Sequence, residues 1–236
     1  MWDRRWVTAD RPLVAALRAE IATAGDPVRA AAQQRYMKSS LPYAGVATAE
    51  LDLLLKPHLR NYRPTGREQW QDTVRLLWDG VVHREEWYAA IDLARHRAAR
   101  DWLDPESLTL WRHLVITGAW WDVVDEIAAH LVGSVLAHHR SLTTPAIRHW
   151  ARDPHPWIRR TAVLSQLRHK GDTDTALLAD TIEASIDDSS FWLRKAIGWA
   201  LREYANTDPE WVRAFVVDHP SLSPLSRREA LKRIGP

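Results

Sequence analysis

The chain has 236 residues, 46% hydrophobic and 26% charged, with a formal net charge of +2. That composition belongs to a folded globular protein and excludes a disordered one. It has no cysteine, which removes disulfides, thiolate zinc sites and cysteine nucleophiles; tryptophan reaches 14 while phenylalanine stops at 2.

The first dozen residues, MWDRRWVTADRP, carry charges but no apolar run, so they do not read as a signal peptide. They are expected to form an extension (residues 1–12), followed by one helical domain over 13–236. No stretch approaches the roughly 18 uncharged apolar residues of a membrane span, so no membrane partner and a cytoplasmic location are expected.

Helix punctuation then recurs along the chain. Asp26-Pro27, Asp104-Pro105, Thr144-Pro145, Asp208-Pro209 and Ser223-Pro224 each read as an N-cap followed by proline at the first helical position. Thr65 and Glu68 have capping-box spacing. Gly25, Gly80, Gly118, Gly171 and Gly235 stand where helices should stop. Between these marks, segments such as REQWQDTVRLLWD and DTALLADTIEASI repeat apolar residues at three- and four-residue spacing. About a dozen helices of roughly 10–18 residues are expected, with few strand signals.

The helices repeat. PWIRRTAVLSQL and FWLRKAIGWAL share tryptophan, a branched aliphatic, arginine, then arginine or lysine. Trp157 and Trp192 are 35 residues apart, Trp121 and Trp157 are 36 apart, and Trp87 and Trp121 are 34 apart. Arg227 and Arg228 fall one further period beyond Arg194 and Lys195. Chance is the bland explanation in a tryptophan-rich chain, and the shared pattern outweighs it. A two-helix period in the mid-thirties is the mark of an α-solenoid, whose second helices line a concave face. Such a fold is by default a protein-binding scaffold, so chemistry has to be argued from particular residues.

Three segments one repeat apart supply them. GAWWDVVDEIAAHL places Trp121 and Asp125 one helical turn apart, on one face. The next segment carries Arg159 and Arg160. The third carries Lys195, Trp199 and Arg202 as one stripe. Neighbouring helices would gather these on one surface. Cations interleaved with aromatics suit a phosphate backbone with sugar and base faces between the charges. Taken singly, each residue has an ordinary reading: Trp120 as core, Asp125 as a surface acid or an ion-pair partner of Arg160, the arginines as a solvated face.

Residues 33–234 resemble the AlkD family of DNA alkylation repair proteins, which are 3-methyladenine DNA glycosylases built from HEAT-like repeats. The matching stretches are RYMKS (35–39), ITGAWWDVVDEI (116–127), WIRRTA (157–162), KAIGWALREYA (195–205) and LSRREALKRI (225–234). The resemblance implies an all-α solenoid with a concave, basic DNA-binding face. It implies a monofunctional hydrolase that releases cationic N3- and N7-alkylated purines from duplex DNA without flipping the base. By motif, Trp121, Asp125, Arg160 and Trp199 take the catalytic roles and Tyr36 a DNA contact. Arg159, Lys195, Arg202, Arg227, Arg228 and Lys232 are expected to meet the DNA backbone. No cofactor and no metal are expected: the histidines show no HExxH or paired spacing. The partner expected is double-stranded DNA bearing alkylated purines, bound by a monomer associated with the nucleoid. Two alternatives stand beside this reading: a noncatalytic binder of damaged or branched DNA, and a protein-binding scaffold.

Overall fold

The computed structural model describes residues 6–235 as two compact units divided after Trp102. Residues 1–5 of the expected extension, and Pro236, lie outside the described residues. The described residues form fourteen α-helices and no strand.

The first unit holds α1 (Arg11–Thr23), α2 (Pro27–Met37), α3 (Thr48–Arg60), α4 (Arg67–Asp79) and α5 (Glu85–Ala94), closed by a 3₁₀ turn (Arg97–Trp102). Helix α1 packs against α3, α4 and α5. Val14, Leu17 and Ile21 recur at three- and four-residue spacing and are buried, as are Leu51 and Leu55 of α3 and Trp70, Leu77 and Trp78 of α4. The residues before α1 are tied down. Thr8 donates to Asp72 through its amide (3.1 Å) and its hydroxyl (2.8 Å), and the Asp10 amide donates to Thr73 at 2.9 Å. The buried Glu85 carboxylate accepts the amides of Ala44, Gly45 and Val46 at 2.8–3.1 Å, which fixes the chain between α2 and α3.

The second unit holds α6 (Leu108–Gly118), α7 (Trp121–Glu126), a π-helical segment (Ile127–Val132) and α8 (Gly133–His138). It continues with α9 (Arg140–Trp150), α10 (Pro156–Leu164), α11 (Thr175–Glu183), α12 (Phe191–Tyr204), α13 (Pro209–Asp218) and α14 (Pro224–Leu231). Helix α10 packs against α7 and the π segment before it and against α12 after it; α12 packs in turn on α14, and α9 on α11. Two rows of successive helices follow, the α-solenoid of helical repeats that the period predicts. Leu193, Ala196, Ile197, Ala200 and Leu201 of α12 form its buried stripe. They pack with Val163, Leu164, Ile182, Val212 and Phe215.

The caps at Asp26, Asp208 and Ser223 form as expected, each side chain accepting an amide of the first turn. Asp104 caps a short 3₁₀ turn (Pro105–Ser107) ahead of α6. Three expectations differ. Pro145 lies inside α9, which already starts at Arg140. Thr65 does not cap α4: its amide and hydroxyl both donate to Gln69, and Gly66 takes the cap position. Helix lengths run from 6 to 14 residues, shorter than expected at the low end because the π segment interrupts one long helix. None of the described helices is long and apolar enough to cross a membrane.

Candidate active site

Asp125 and Arg160 meet between α7 and α10. Arg160 Nε donates to Asp125 Oδ1 and Nη2 to Oδ2, each at 2.7 Å, a two-pronged guanidinium–carboxylate pair. A third donor, Nη1, reaches the backbone carbonyl of Trp192 at the start of α12. The pair sits deep, with side-chain exposures of 3% for Arg160 and 12% for Asp125. The small open edge therefore belongs to the acid.

Burial pushes the Asp125 carboxyl above its ordinary value, Arg160 opposes that shift, and Asp122 and Glu126 on the same helix reinforce it. Two short charge-assisted bonds still make the carboxylate the form that Arg160 engages at neutral pH. Trp121, the first residue of α7, stands one turn before Asp125 and is half-buried. Directly after Glu126 the helix widens into the π segment, a distortion often found at functional sites. Beyond it, the buried His169 hydrogen-bonds the Gly133 carbonyl at 3.0 Å. A carbonyl only accepts, so Nε2 carries the proton. Burial lowers the His169 pKa and keeps the ring neutral.

The cations expected to face DNA are placed as follows. Lys195 Nζ donates to Glu229 Oε1 at 2.7 Å, and Arg202 reaches the other oxygen of the same carboxylate. Arg159 pairs with Asp188 at 2.7 Å and donates to the carbonyls of Asp153 and Pro154. Arg227 reaches the His219 carbonyl at 3.4 Å, while Arg228 and Lys232 are exposed. Trp199 is half-buried against the apolar core of the unit. Tyr36 belongs to the first unit, on α2, and is 78% exposed. Among the described residues, no three histidine, aspartate or glutamate side chains converge as a metal site requires.

Two features have no clear signal in the sequence. Trp120 is not a core residue: it is half-buried, and its ring meets Trp157 (6.0 Å) and Trp192 (5.4 Å) beside Arg160. The repeat thus aligns Trp120, not Trp121, with the later tryptophans. Glu229, the acid that binds both Lys195 and Arg202, lies inside LSRREALKRI, one repeat after Lys195, where no local pattern marks it.

Stacked helical repeats bury an arginine–carboxylate pair and leave the acid one open edge. The chain belongs to the DNA alkylation repair enzyme family, whose model matches residues 17–234. It is also similar to a solved structure described as a predicted DNA alkylation repair enzyme from Enterococcus faecalis. Identity is 31%, the TM-score is 0.81, and the match covers 89% of this chain and 96% of that one. No curated protein matches the chain.

Proposed function

We propose that the protein is a monofunctional DNA glycosylase that hydrolyses the N-glycosidic bond of N3- and N7-alkylated purines in duplex DNA. The observation that carries this reading is the carboxylate of Asp125, locked by Arg160 yet open at one edge, one turn from Trp121.

An alkylated N3 or N7 makes the purine cationic, so the base leaves without a general acid. The C1′–N bond breaks, its electron pair goes to the purine, and the base departs neutral. Positive charge moves onto the deoxyribose. A fixed carboxylate beside C1′ stabilises that charge and orients a water whose oxygen bonds C1′. The water's proton passes to Asp125 or to solvent, leaving an abasic site and a free base. Trp121 and Trp199 lay indole faces toward the developing cation and exclude water. Arg160 keeps the acid ionised and aimed. A base that is already a cationic leaving group need not be drawn into a pocket for activation, so attack takes place on a base left in the stack.

Arg159, Lys195, Arg202, Arg227, Arg228 and Lys232 of the second unit contact the DNA backbone, Tyr36 of the first unit makes a DNA contact of its own, and the protein acts as a monomer at the nucleoid. The test is incubation of wild type and Asp125→Asn with duplex DNA containing 7-methylguanine, followed by quantification of free base. Release by wild type, reduced about 100-fold or more in the variant, is expected for loss of one preorganised electrostatic group. Tight, salt-sensitive DNA binding with no release from wild type points instead to a noncatalytic binder.

A further inference from the structure

Three neighbouring helices each begin with a tryptophan. Trp120 is the N-cap of α7, and Trp157 and Trp192 are the second residues of α10 and α12. Their rings touch pairwise, with centroids 6.0 Å (Trp120–Trp157), 5.4 Å (Trp120–Trp192) and 5.9 Å (Trp157–Trp192) apart. The Arg160 guanidinium carbon lies 5.9 Å from the Trp157 ring centre and 6.0 Å from that of Trp192. The carbonyl of Trp192 accepts the one guanidinium nitrogen that Asp125 leaves unused.

Packing between repeats does not by itself account for the cluster. The rings are half-buried at the helix starts, whereas the stripe residues behind them are fully buried. The next repeat is informative. Helix α14 begins Pro224-Leu225, so leucine fills the position that tryptophan holds in α10 and α12. The indoles occur on the three helices that touch the guanidinium or its acid, and not on the fourth.

We propose that Trp157 and Trp192, backed by Trp120, are positioning residues that hold the Arg160 guanidinium in the orientation in which Nε and Nη2 meet Asp125. An indole face attracts a cation without competing for its in-plane N–H donors. The rings therefore fix the guanidinium and exclude water while its edge serves the carboxylate. The charged groups facing Asp125 are Arg160 from α10 and, on its own helix, Asp122 and Glu126, which both disfavour its ionisation. On the other elements packed against α7, His130 of the π segment pairs with Glu126, and Arg112 of α6 pairs with Asp153. A loosened Arg160 therefore leaves Asp125 harder to ionise.

The rate arm of the test rests on the glycosylase reading; the titration arm does not. Trp157→Leu and Trp192→Leu keep apolar volume, as Leu225 does, but remove the π face; Trp157→Phe and Trp192→Phe keep a weaker one. In the full chain, the Asp125 side-chain carboxyl is titrated by carbon-13 NMR, with Asp125→Asn assigning its signal. The expected order of midpoints is leucine variant above phenylalanine variant above wild type. The leucine variants shift upward by about one pH unit, equivalent to a tenfold change in the ionisation constant. The acid limb of base release moves by the same amount. Should the leucine variants not fold, the partial shift of the phenylalanine pair decides. Lower thermal stability with an unmoved Asp125 midpoint overturns the proposal and leaves the cluster as packing alone. Shifted midpoints in a protein that releases no base uphold the proposal and sink the glycosylase reading.

Discussion

Arg160 and Asp125, 35 residues apart in the chain, share two parallel 2.7 Å hydrogen bonds across the boundary between successive repeats. The solenoid period is what makes this possible: one repeat supplies the acid and the next its counter-ion. A buried pair of this kind is weak evidence of stabilisation, because two charges have lost water. What it does provide is a carboxylate held in one place with its charge supported from behind.

Stability and activity are expected to run in opposite directions through the acid range. Burial raises the folded-state pKa of Asp125 above its ordinary 3.8. In that interval the folded protein keeps a proton the unfolded chain has released. The stability contributed by this group is therefore full below 3.8 and is lost as pH rises through the folded value. On the proposed mechanism base release needs the ionised acid, so its rate is expected to climb over the same interval. The measurement is urea unfolding of wild type and Asp125→Asn across pH, beside initial rates of wild type. A wild-type-minus-variant stability that grows with pH contradicts the assignment.

Arg160→Lys tests whether a charge suffices or the fork is needed. Lysine keeps the cation but cannot serve both oxygens of Asp125 and the Trp192 carbonyl in one plane. Expected are a fall in the rate of base release of about tenfold or more and a loss of about 1–3 kcal/mol in stability from unsatisfied buried groups. Arg160→Ala strands a buried acid and is expected to cost about 3–5 kcal/mol. Chemical denaturation gives both numbers. Wild-type rates in the lysine variant mean that the bidentate geometry is irrelevant to turnover.

Much of this was readable in the sequence because short-range spacing fixes it. Trp121 and Asp125 share a face by helical periodicity, and the caps at Asp26, Asp208 and Ser223 are local hydrogen bonds. Other features were not local. Pro145 is tolerated inside α9, where a pattern rule puts it at a helix start. Adjacent tryptophans at 120 and 121 give no hint of which one joins its counterparts, since their directions depend on where α7 begins. Glu229 carries no local signal of its own; only the packing of α14 on α12 shows that it faces Lys195 and Arg202.

Glu229→Gln is expected to reveal how much positive charge this carboxylate masks. The group is largely buried, and the hydrogen bond from Lys195, with the Arg202 charge assisting, holds its pKa below 4.5. Its stabilisation is thus present above 4.5 and lost as pH falls through the lower folded value. In the neutral variant two cations lose their partner. If Lys195 and Arg202 meet phosphates, the log–log salt slope of DNA binding steepens by about one to two. Thermal unfolding comes earlier. An unchanged salt slope removes both residues from the DNA contact.

Gly198→Ala probes the same junction without touching a charge. A Cβ on Gly198 would lie 2.5 Å from Glu229 Cβ and 2.8 Å from the Ser226 carbonyl oxygen, closer than packed atoms approach. The helix itself gains about 1 kcal/mol from the exchange, since alanine is the better helix former. Overpacking a tight helix–helix contact costs about 1–3 kcal/mol, so a net loss of stability is expected. To accommodate the methyl group, α14 must move off α12, and Glu229 moves with it, away from Lys195 and Arg202. The variant should therefore steepen the salt dependence of DNA binding in the same sense as Glu229→Gln, although it alters no charge. Combining the two changes should add little further slope, because the carboxylate has one pair of cations to release. Full additivity in the double variant would mean that Gly198 acts on DNA binding by some route other than the position of Glu229.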